Sequence, residues 1–440
     1  MTSEDTAGSE TLRALREPKL WLAPILVVSF VMALLGVLYL DSILDPKKNL
    51  HDFPIAVVNQ DDGETFTSVA GDKRENFGDQ ITDALVNGVD KNQIDIRHVG
   101  IGEAQSLMRK GEVYGALIIP SDFSKRLHIL GITSVAPGED IQKPAVTINT
   151  NPRAGPFAVG IVTQIFDQAT TKVNETVGKQ LTESVLAELK GTPISGASKL
   201  VLTEPIAVDT VAYNALPDGT GNGLAPFYYA LLLLLAGFTG SMIVSQLVDA
   251  QLGFAPAEMG PWYIYNPSVR VSRFHTLMVK WALMLVLGIV VSGIYVGIGA
   301  LLDMPMSRPG ALFAYGAFAI TAVGISATAV MAALGSAGLI VNLIVFIILG
   351  VPSSGGTVPL EGQPPFFGWL ANFEPLHQVF IGTRAILFYD ARYDSGLLNA
   401  FWKTLAGLIF GMAIGIIATR IYDRKGFHRG TTGEPLNQPS

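Results

Sequence analysis

Residues 20–40 (LWLAPILVVSFVMALLGVLYL) carry no charged side chain, and no comparable run begins again until residue 225. A helix needs about 20 mostly apolar residues to cross a bilayer's hydrocarbon core. The sequence therefore reads as a membrane protein with a long polar insertion after its first span. Further apolar runs lie at about 225–248, 277–302, 311–334, 339–351 and 397–419. A cleaved leader would have a shorter apolar centre and a small-residue cleavage site. Residues 41–45 (DSILD) offer none, so the first run is read as a retained anchor. The run at 339–351 is short and separated from its predecessor only by Gly335-Ser336-Ala337-Gly338. Such small residues permit a tight helical hairpin; one long broken helix is the alternative.

The expected fold is thus an α-helical polytopic membrane protein with six transmembrane helices, one plus five, and a large extracytoplasmic α/β domain between the first two. Residues 1–19 form a cytoplasmic segment, 41–223 the domain, 224–420 the membrane domain and 421–440 a cytoplasmic tail. Orientation rests on the excess of Lys and Arg beside span ends. Arg13, Arg16, Lys19, Arg270, Arg273 and the tail RIYDRKGFHR share one side, against a thinner set of Lys47, Lys48, Arg308, Arg384 and Arg392 opposite. Both termini are placed in the cytoplasm. Charged residues make up 15% of the chain, below the about 25% of soluble proteins, while the net charge of −7 offers nucleic acid no basic face. With no cysteine, disulfide scaffolds, thiol catalysis and Cys-ligated metals are excluded.

The insertion has the alternating pattern of an α/β unit. FPIAVVN at 53–59 reads as a buried strand, 80–86 as a helix, and 94–99 as a half-buried strand. Residues 103–110 read as a short helix, with strands at 113–119, 145–149 and 205–211. From Pro156 to about residue 190 few breakers occur. Ile161, Ile165, Val173, Val177, Leu181, Val185 and Leu189 form a stripe that packs either on the sheet or against a second copy. At the end of the first strand, Asn59 and Asp61 are placed to cap backbone groups of a turn, and Ser121 or Asp122 to cap the helix after the strand at 113–119.

No catalytic signature is present. The chain lacks G-x-x-x-x-G-K-[ST], H-E-x-x-H and G-x-S-x-G, and its six histidines are scattered, so neither nucleotide hydrolysis, a metal site nor any cofactor is expected.

Three segments in order, PIAVVNQDDG, VYGALIIPSDFS and GNGLAPFYYALLLLLAG, resemble the YhgE/Pip (phage infection protein) family, which belongs with the type 2 ABC-exporter membrane domains. The late segment VPSSGGTVPLEGQPPFFGWLANFEPLHQVFIGTRAILFYD is similar to the related nitrosoguanidine-resistance membrane proteins. The likeness runs from about residue 20 to 420. It implies an exporter-like fold and fixes architecture better than activity. The outside domain here is shorter than in many YhgE/Pip proteins, so functions of their long insertions do not carry over.

Polar residues in or beside spans are the strongest functional pointers, since lipid burial without a partner is costly. Lys280 at the start of the third span can snorkel to the surface, and Asp249 ends the second. Asn342 in the fifth span is an interhelical hydrogen-bond residue or a pathway residue. The interfacial or re-entrant segment 352–396 carries Glu374, His377 and Arg384 on a helix predicted over 375–389; Glu374 and Arg384 form either a solvated pair or part of a gate. The resemblance implies such a pair of short helices before the last span, lining the outer exit. On the cytoplasmic side, Leu12 and Leu15 on an amphipathic start, and Trp262, Tyr263 and Tyr265 in the loop, are candidate contacts for a partner ATPase or interfacial anchors.

The leading expectation is a permease subunit of an ABC-type export system, homodimeric in the bacterial plasma (inner) membrane, served by a separate ABC ATPase. Its substrate would be lipophilic or amphipathic, moved out of the cytoplasm or inner leaflet. The alternative is a non-transporting receptor or scaffold that binds a partner through the outside domain. Proton-driven efflux ranks last, because the spans offer almost no carboxylate beyond Asp249.

Overall fold

The computed structural model describes residues 18–68, 71–134, 142–188, 196–427 and 429. Strand β1 (Phe53–Asn59) is almost wholly buried, as a Val/Ile/Ala run covered on both faces must be. Its alternate side chains go to opposite sides. Phe53, Ile55 and Val57 enter the larger core, while Ala56 and Val58 enter a smaller one. A hairpin of β2 (Glu64–Ser68) and β3 (Gly71–Glu75) follows, then a helix at Phe77–Gly88. We label the first membrane helix, Pro18–Ile43, α1 and the helix Phe77–Gly88 α2. Next come β4 (Ile94–His98), α3 (Ile101–Lys110), β5 (Gly115–Ile119) and α4 (Phe123–Thr133). The domain closes with β6 (Ala145–Thr150), α5 (Pro156–Glu188), α6 (Gly196–Thr203) and β7 (Ala207–Ala212).

The sheet order is β4-β1-β5-β6-β7. Strands β4, β1 and β5 run parallel, β6 is antiparallel to β5, and β7 is parallel to β6. From β1 the chain steps to one neighbour through α2 and back past β1 to β5 through α3. Right-handed crossovers in opposite directions put their helices on opposite faces. Accordingly, Phe77, Ile81 and Leu85 of α2 join the larger core, and Ala104 and Met108 of α3 the smaller. The stripe on α5 packs on the sheet: Ile161, Val173, Val177, Leu181 and Val185 are buried in the larger core, with Ile165 against it. Leu189 lies outside the described residues.

Among the described residues, five helices are long and apolar enough to cross a membrane: α1, α7 (Ala225–Gln251), α8 (Arg273–Leu301), α9 (Pro309–Leu334) and α13 (Leu397–Arg424). The fifth expected run is a shorter apolar helix, α10 (Ala337–Ser353), whose middle, Ile344–Ile348, is a π turn. Between α10 and α13 lie two short helices, α11 (Pro365–Ala371) and α12 (Pro375–Phe388). Between α7 and α8 lies a small hairpin of β8 (Ala257–Met259) and β9 (Trp262–Ile264).

Helices α9 and α10 are a reversed pair rather than one broken helix. Gly335 turns at φ +63°, and a Cβ on Gly338 would sit 2.7 Å from Met331 Cα, so only glycine lets the two helices approach this closely. Asn342 Nδ2 then donates to the Ala327 carbonyl at 2.9 Å across the pair. Helix α1 stands largely apart, its apolar side chains exposed along most of its length. It meets the others at the π turn, where Tyr39 donates its hydroxyl hydrogen to the Ile347 carbonyl at 3.1 Å.

Candidate functional site

The segment 360–392 ties the α/β domain to the helical bundle. Tyr114, just before β5, donates its hydroxyl hydrogen to Glu361 at 2.7 Å, and the His51 amide donates to the Glu361 carbonyl at 2.8 Å. Burial, then the adjacent Glu361 carboxylate, push the Tyr114 phenol well above its ordinary pKa. At the other end, Arg153 donates to the Phe388 carbonyl. Gly111 ends α3 in the left-handed region (φ +74°), and the Tyr389 hydroxyl lies 2.8 Å from where its Cβ would be. Both ends of the short-helix pair are therefore held on the domain side, while α12 packs among α7, α9 and α13.

Pro375 occupies the first turn of α12, where its missing N–H is no loss. Glu374 is the N-cap just outside that helix, and one carboxylate oxygen accepts the His377 amide at 2.8 Å. The other oxygen is buried with no hydrogen-bond partner and faces Gly350. Burial pushes this carboxyl up to about 8. His377 donates from Nδ1 to the Ser354 carbonyl at 2.8 Å, and burial pushes its pKa down to about 4, so the ring is neutral at physiological pH. Arg384 lies over the rings of Phe380 and Tyr389, at 5.3 and 5.9 Å, with its Nε buried and unpartnered. Glu374 and Arg384 form no ion pair among the described residues: of the two alternatives, the solvated pair is not formed, and the two are a buried cap and an aromatic-stacked guanidinium.

Beneath the tip of this helix pair, α9, α10, α12 and α13 enclose a groove of about 670 Å³. Its walls are mainly apolar, including Val323, Val345, Phe346, Phe410 and Ile414. Asn342 and Gln378 line it, but each amide is engaged with backbone, on the Ala327 and Ala371 carbonyls. Among the described residues of the lining, Lys403 is the one that is charged. Of the four proposed gate or pathway residues, the structure thus brings only Asn342 to this groove. Glu374 and His377 face α10, and Arg384 lies toward the seam with the domain.

At the opposite end of the bundle, Asp249 Oδ1 accepts from Lys280 Nζ and Arg429 Nη1, both at 2.9 Å. Lys280 is buried and paired, which corrects the reading of it as a snorkelling side chain. Asp423 accepts the amides of Arg273 and Phe274 at 2.8 and 3.0 Å, capping α8 from α13. Trp262, Tyr263 and Tyr265 stand 72%, 65% and 68% exposed on and just after the β8–β9 hairpin. Leu12 and Leu15 lie outside the described residues.

The turn after β1 has the capping role expected of it. Asp61 accepts the amides of Gly63, Gly78 and Ser124 and the Ser124 hydroxyl, while Asn59 accepts the Asp61 amide. Asp122 is the N-cap of α4 but makes no capping bond; its carboxylate takes Arg126 instead. Sequence reasoning passed over Lys403, Gly407 and Gly411, although their spacing of four along the last apolar run was a signal for a shared helix face. It also passed over the Tyr114–Glu361 contact, which nothing local announces.

No curated protein matches the sequence. Among solved structures, a crystallised domain of a candidate ABC type-2 transporter from Thermotoga maritima MSB8 is similar at 18% identity. The match covers 38% of this chain and 96% of that one with a TM-score of 0.25, a likeness too slight to carry an argument. The model of a family described as a protein of unknown function (DUF3533) matches residues 23–405, and the chain belongs to that family.

Proposed function

We propose that this chain is the membrane permease subunit of an ABC-type exporter that moves a lipophilic or amphipathic substrate out of the cytoplasm or inner leaflet. The observation that carries the reading is the short-helix pair α11–α12, anchored on the α/β domain at Tyr114–Glu361 and packed among α7, α9 and α13, which this reading takes as a re-entrant hairpin. A solute leaving between such helices must pass an element coupled to the outside domain. The order of motifs that resembles YhgE/Pip proteins supports the same reading. In it, α10 acts as a sixth span: its 17 residues reach about 25 Å at 1.5 Å per residue, near the lower limit for crossing. Two copies pair, both termini are cytoplasmic, and the membrane is a bacterial plasma membrane. A separate ATPase supplies the energy, and the chain itself is not an enzyme. The exposed aromatic hairpin at Trp262, Tyr263 and Tyr265 is the docking element for that subunit.

The test is a detergent pull-down of the tagged full-length protein from its native membrane, followed by mass spectrometry. Recovery of an ABC-type ATPase in stoichiometric amount supports the exporter. Recovery of the bait alone, or of wall-associated proteins, overturns it.

A second reading, a non-transporting receptor or scaffold, is favoured by one feature of the domain. A groove of about 350 Å³ runs between α2 and α5, with Ile161, Ile165 and Val173 in its wall and Gln80, Gln164 and Gln168 beside them. Saturable binding of a wall component by the full-length protein, without any efflux phenotype on deletion, would favour this reading.

A further inference from the structure

We propose that the groove between α9, α10, α12 and α13 holds the hydrocarbon chain of a single-chain anionic amphiphile drawn from the bilayer, with its headgroup at the Lys403 ammonium. This deepens the exporter reading, and rests on it for the ligand's role as substrate.

Four observations lead here. Lys403, Gly407, Gly411 and Ile414 all line the groove and fall on one face of α13, at intervals of four, four and three. From Lys403 to Ile414 the helix rises about 16 Å, close to half of the ~30 Å hydrocarbon core. The groove thus has the depth of one leaflet. A Cβ on Gly407 would meet nothing within 4 Å, so the wall is open at that point. At Gly411 a Cβ would come 2.8 Å from Ser326 Cα, so there α13 and α9 close the floor.

Among the described residues the charge of the lining is confined to Lys403 at one end, while the uncharged polar side chains of Ser326, Asn372 and Thr404 also reach it. Asn342 and Gln378 each donate an amide hydrogen to a backbone carbonyl, and the rest of the wall is mainly apolar, which suits a hydrocarbon chain. Lys403 has no carboxylate within ion-pair distance among the described residues. Glu374 on the facing α12 turns its free oxygen to Gly350. Asp390 and Asp394, near the start of α13, are taken by Arg308 and Arg392. An ammonium on an apolar wall is costly unless it snorkels or finds an anion. Lys403 lies six residues inside α13, about 9 Å from its domain-side end, where a headgroup anion reaches it while the chain runs toward Ile414.

The test uses the purified full-length protein in zwitterionic phosphatidylcholine nanodiscs, without ATPase or transport. The probes are hexadecyl sulfate carrying a chain diazirine, charged at every working pH, and hexadecanol with the same photogroup. Crosslinks are mapped by mass spectrometry. The expected result is labelling of the 403–414 and 322–330 peptides, with the sulfate preferred over the alcohol by about tenfold. Lys403→Gln abolishes the preference, Lys403→Arg keeps it, and Gly407→Phe blocks labelling by both probes. Thermal unfolding of each variant confirms that it is folded. Equal labelling by both probes in the unsubstituted protein, or labelling indifferent to Gly407→Phe, means annular lipid only and overturns the proposal. Selective labelling with no ATPase recovered in the pull-down leaves the site standing and removes the exporter reading.

Discussion

The hydroxyl of Tyr114 and the carboxylate of Glu361, 247 positions apart, meet at 2.7 Å and join the α/β domain to the hairpin segment. The Tyr114 ring stacks on Phe53 at 4.5 Å, so the bond is held from the centre of the sheet. Tyr114→Phe keeps the stack and removes the bond. Hydrogen bonds to charged groups contribute about 1.5–3 kcal/mol, and a loss of that size is expected. Faster limited proteolysis between the domain and α11, with unchanged cleavage inside the domain, checks it.

Glu374 gives stability a slope against pH. Its folded pKa of about 8 lies above the ordinary 4.5, so the folded state keeps a proton that the unfolded state releases. That contribution is complete below pH 4.5 and is lost as pH rises through 8. His377 has the opposite sign: folded at about 4 against 6.5, it contributes above pH 6.5 and loses this as pH falls toward 4. From pH 6.5 to 8 the slope therefore belongs to Glu374, up to about 2 kcal/mol. Thermal midpoints in detergent should fall across this window, and Glu374→Gln should flatten the fall.

Asp249 holds two cations with one oxygen. Asp249→Ala leaves the buried Lys280 without a partner, a change that costs about 3–5 kcal/mol when a buried pair is broken. Arg429→Ala removes only the more exposed partner and should cost less. Pairing Asp249→Ala with Lys280→Met should recover much of the loss. Thermal unfolding of the three variants orders them; equal losses from Asp249→Ala and Arg429→Ala would contradict the arrangement.

Asp61 is a structural residue rather than a ligand. Replacing it with Ala strips acceptors from the buried amides of Gly78 and Ser124, at about 1–3 kcal/mol for each unsatisfied group. The thermal midpoint should drop sharply, whereas hexadecyl sulfate labelling of the folded fraction should stay unchanged.

Trp262, Tyr263 and Tyr265 are exposed and make no core contact that a substitution would break. Changing all three to Ser should leave the thermal midpoint within about 0.5 kcal/mol in stability terms, yet abolish recovery of the ATPase in the pull-down. Retained recovery would remove these residues from the docking element.

The features legible in the sequence are those set by local spacing. A predominantly apolar run of 20 or more residues makes a helix in any apolar setting, because the backbone must bond to itself there; α1, α7, α8, α9 and α13 follow from this, the last with Lys403 inside its run. The Val/Ile/Ala run of β1 and the stripe on α5 follow from the periods of strand and helix. Even the reversal at Gly335–Gly338 could be read, since small residues are what close approach needs.

What tertiary structure alone decided is which distant groups share a neighbourhood. Glu374, His377 and Arg384 are close in sequence, and helical spacing made them look like one site. Packing turns Glu374 toward Gly350, His377 toward Ser354 and Arg384 over two rings. Lys280 looked free to reach water until Asp249 and Arg429 came in from other helix ends. The groove has the same origin: Gly407 is an open wall only because α9, α10 and α12 stop short of it. Periodicity determines which face of a helix is apolar, but the partner of a polar or empty position is fixed by elements tens to hundreds of residues away.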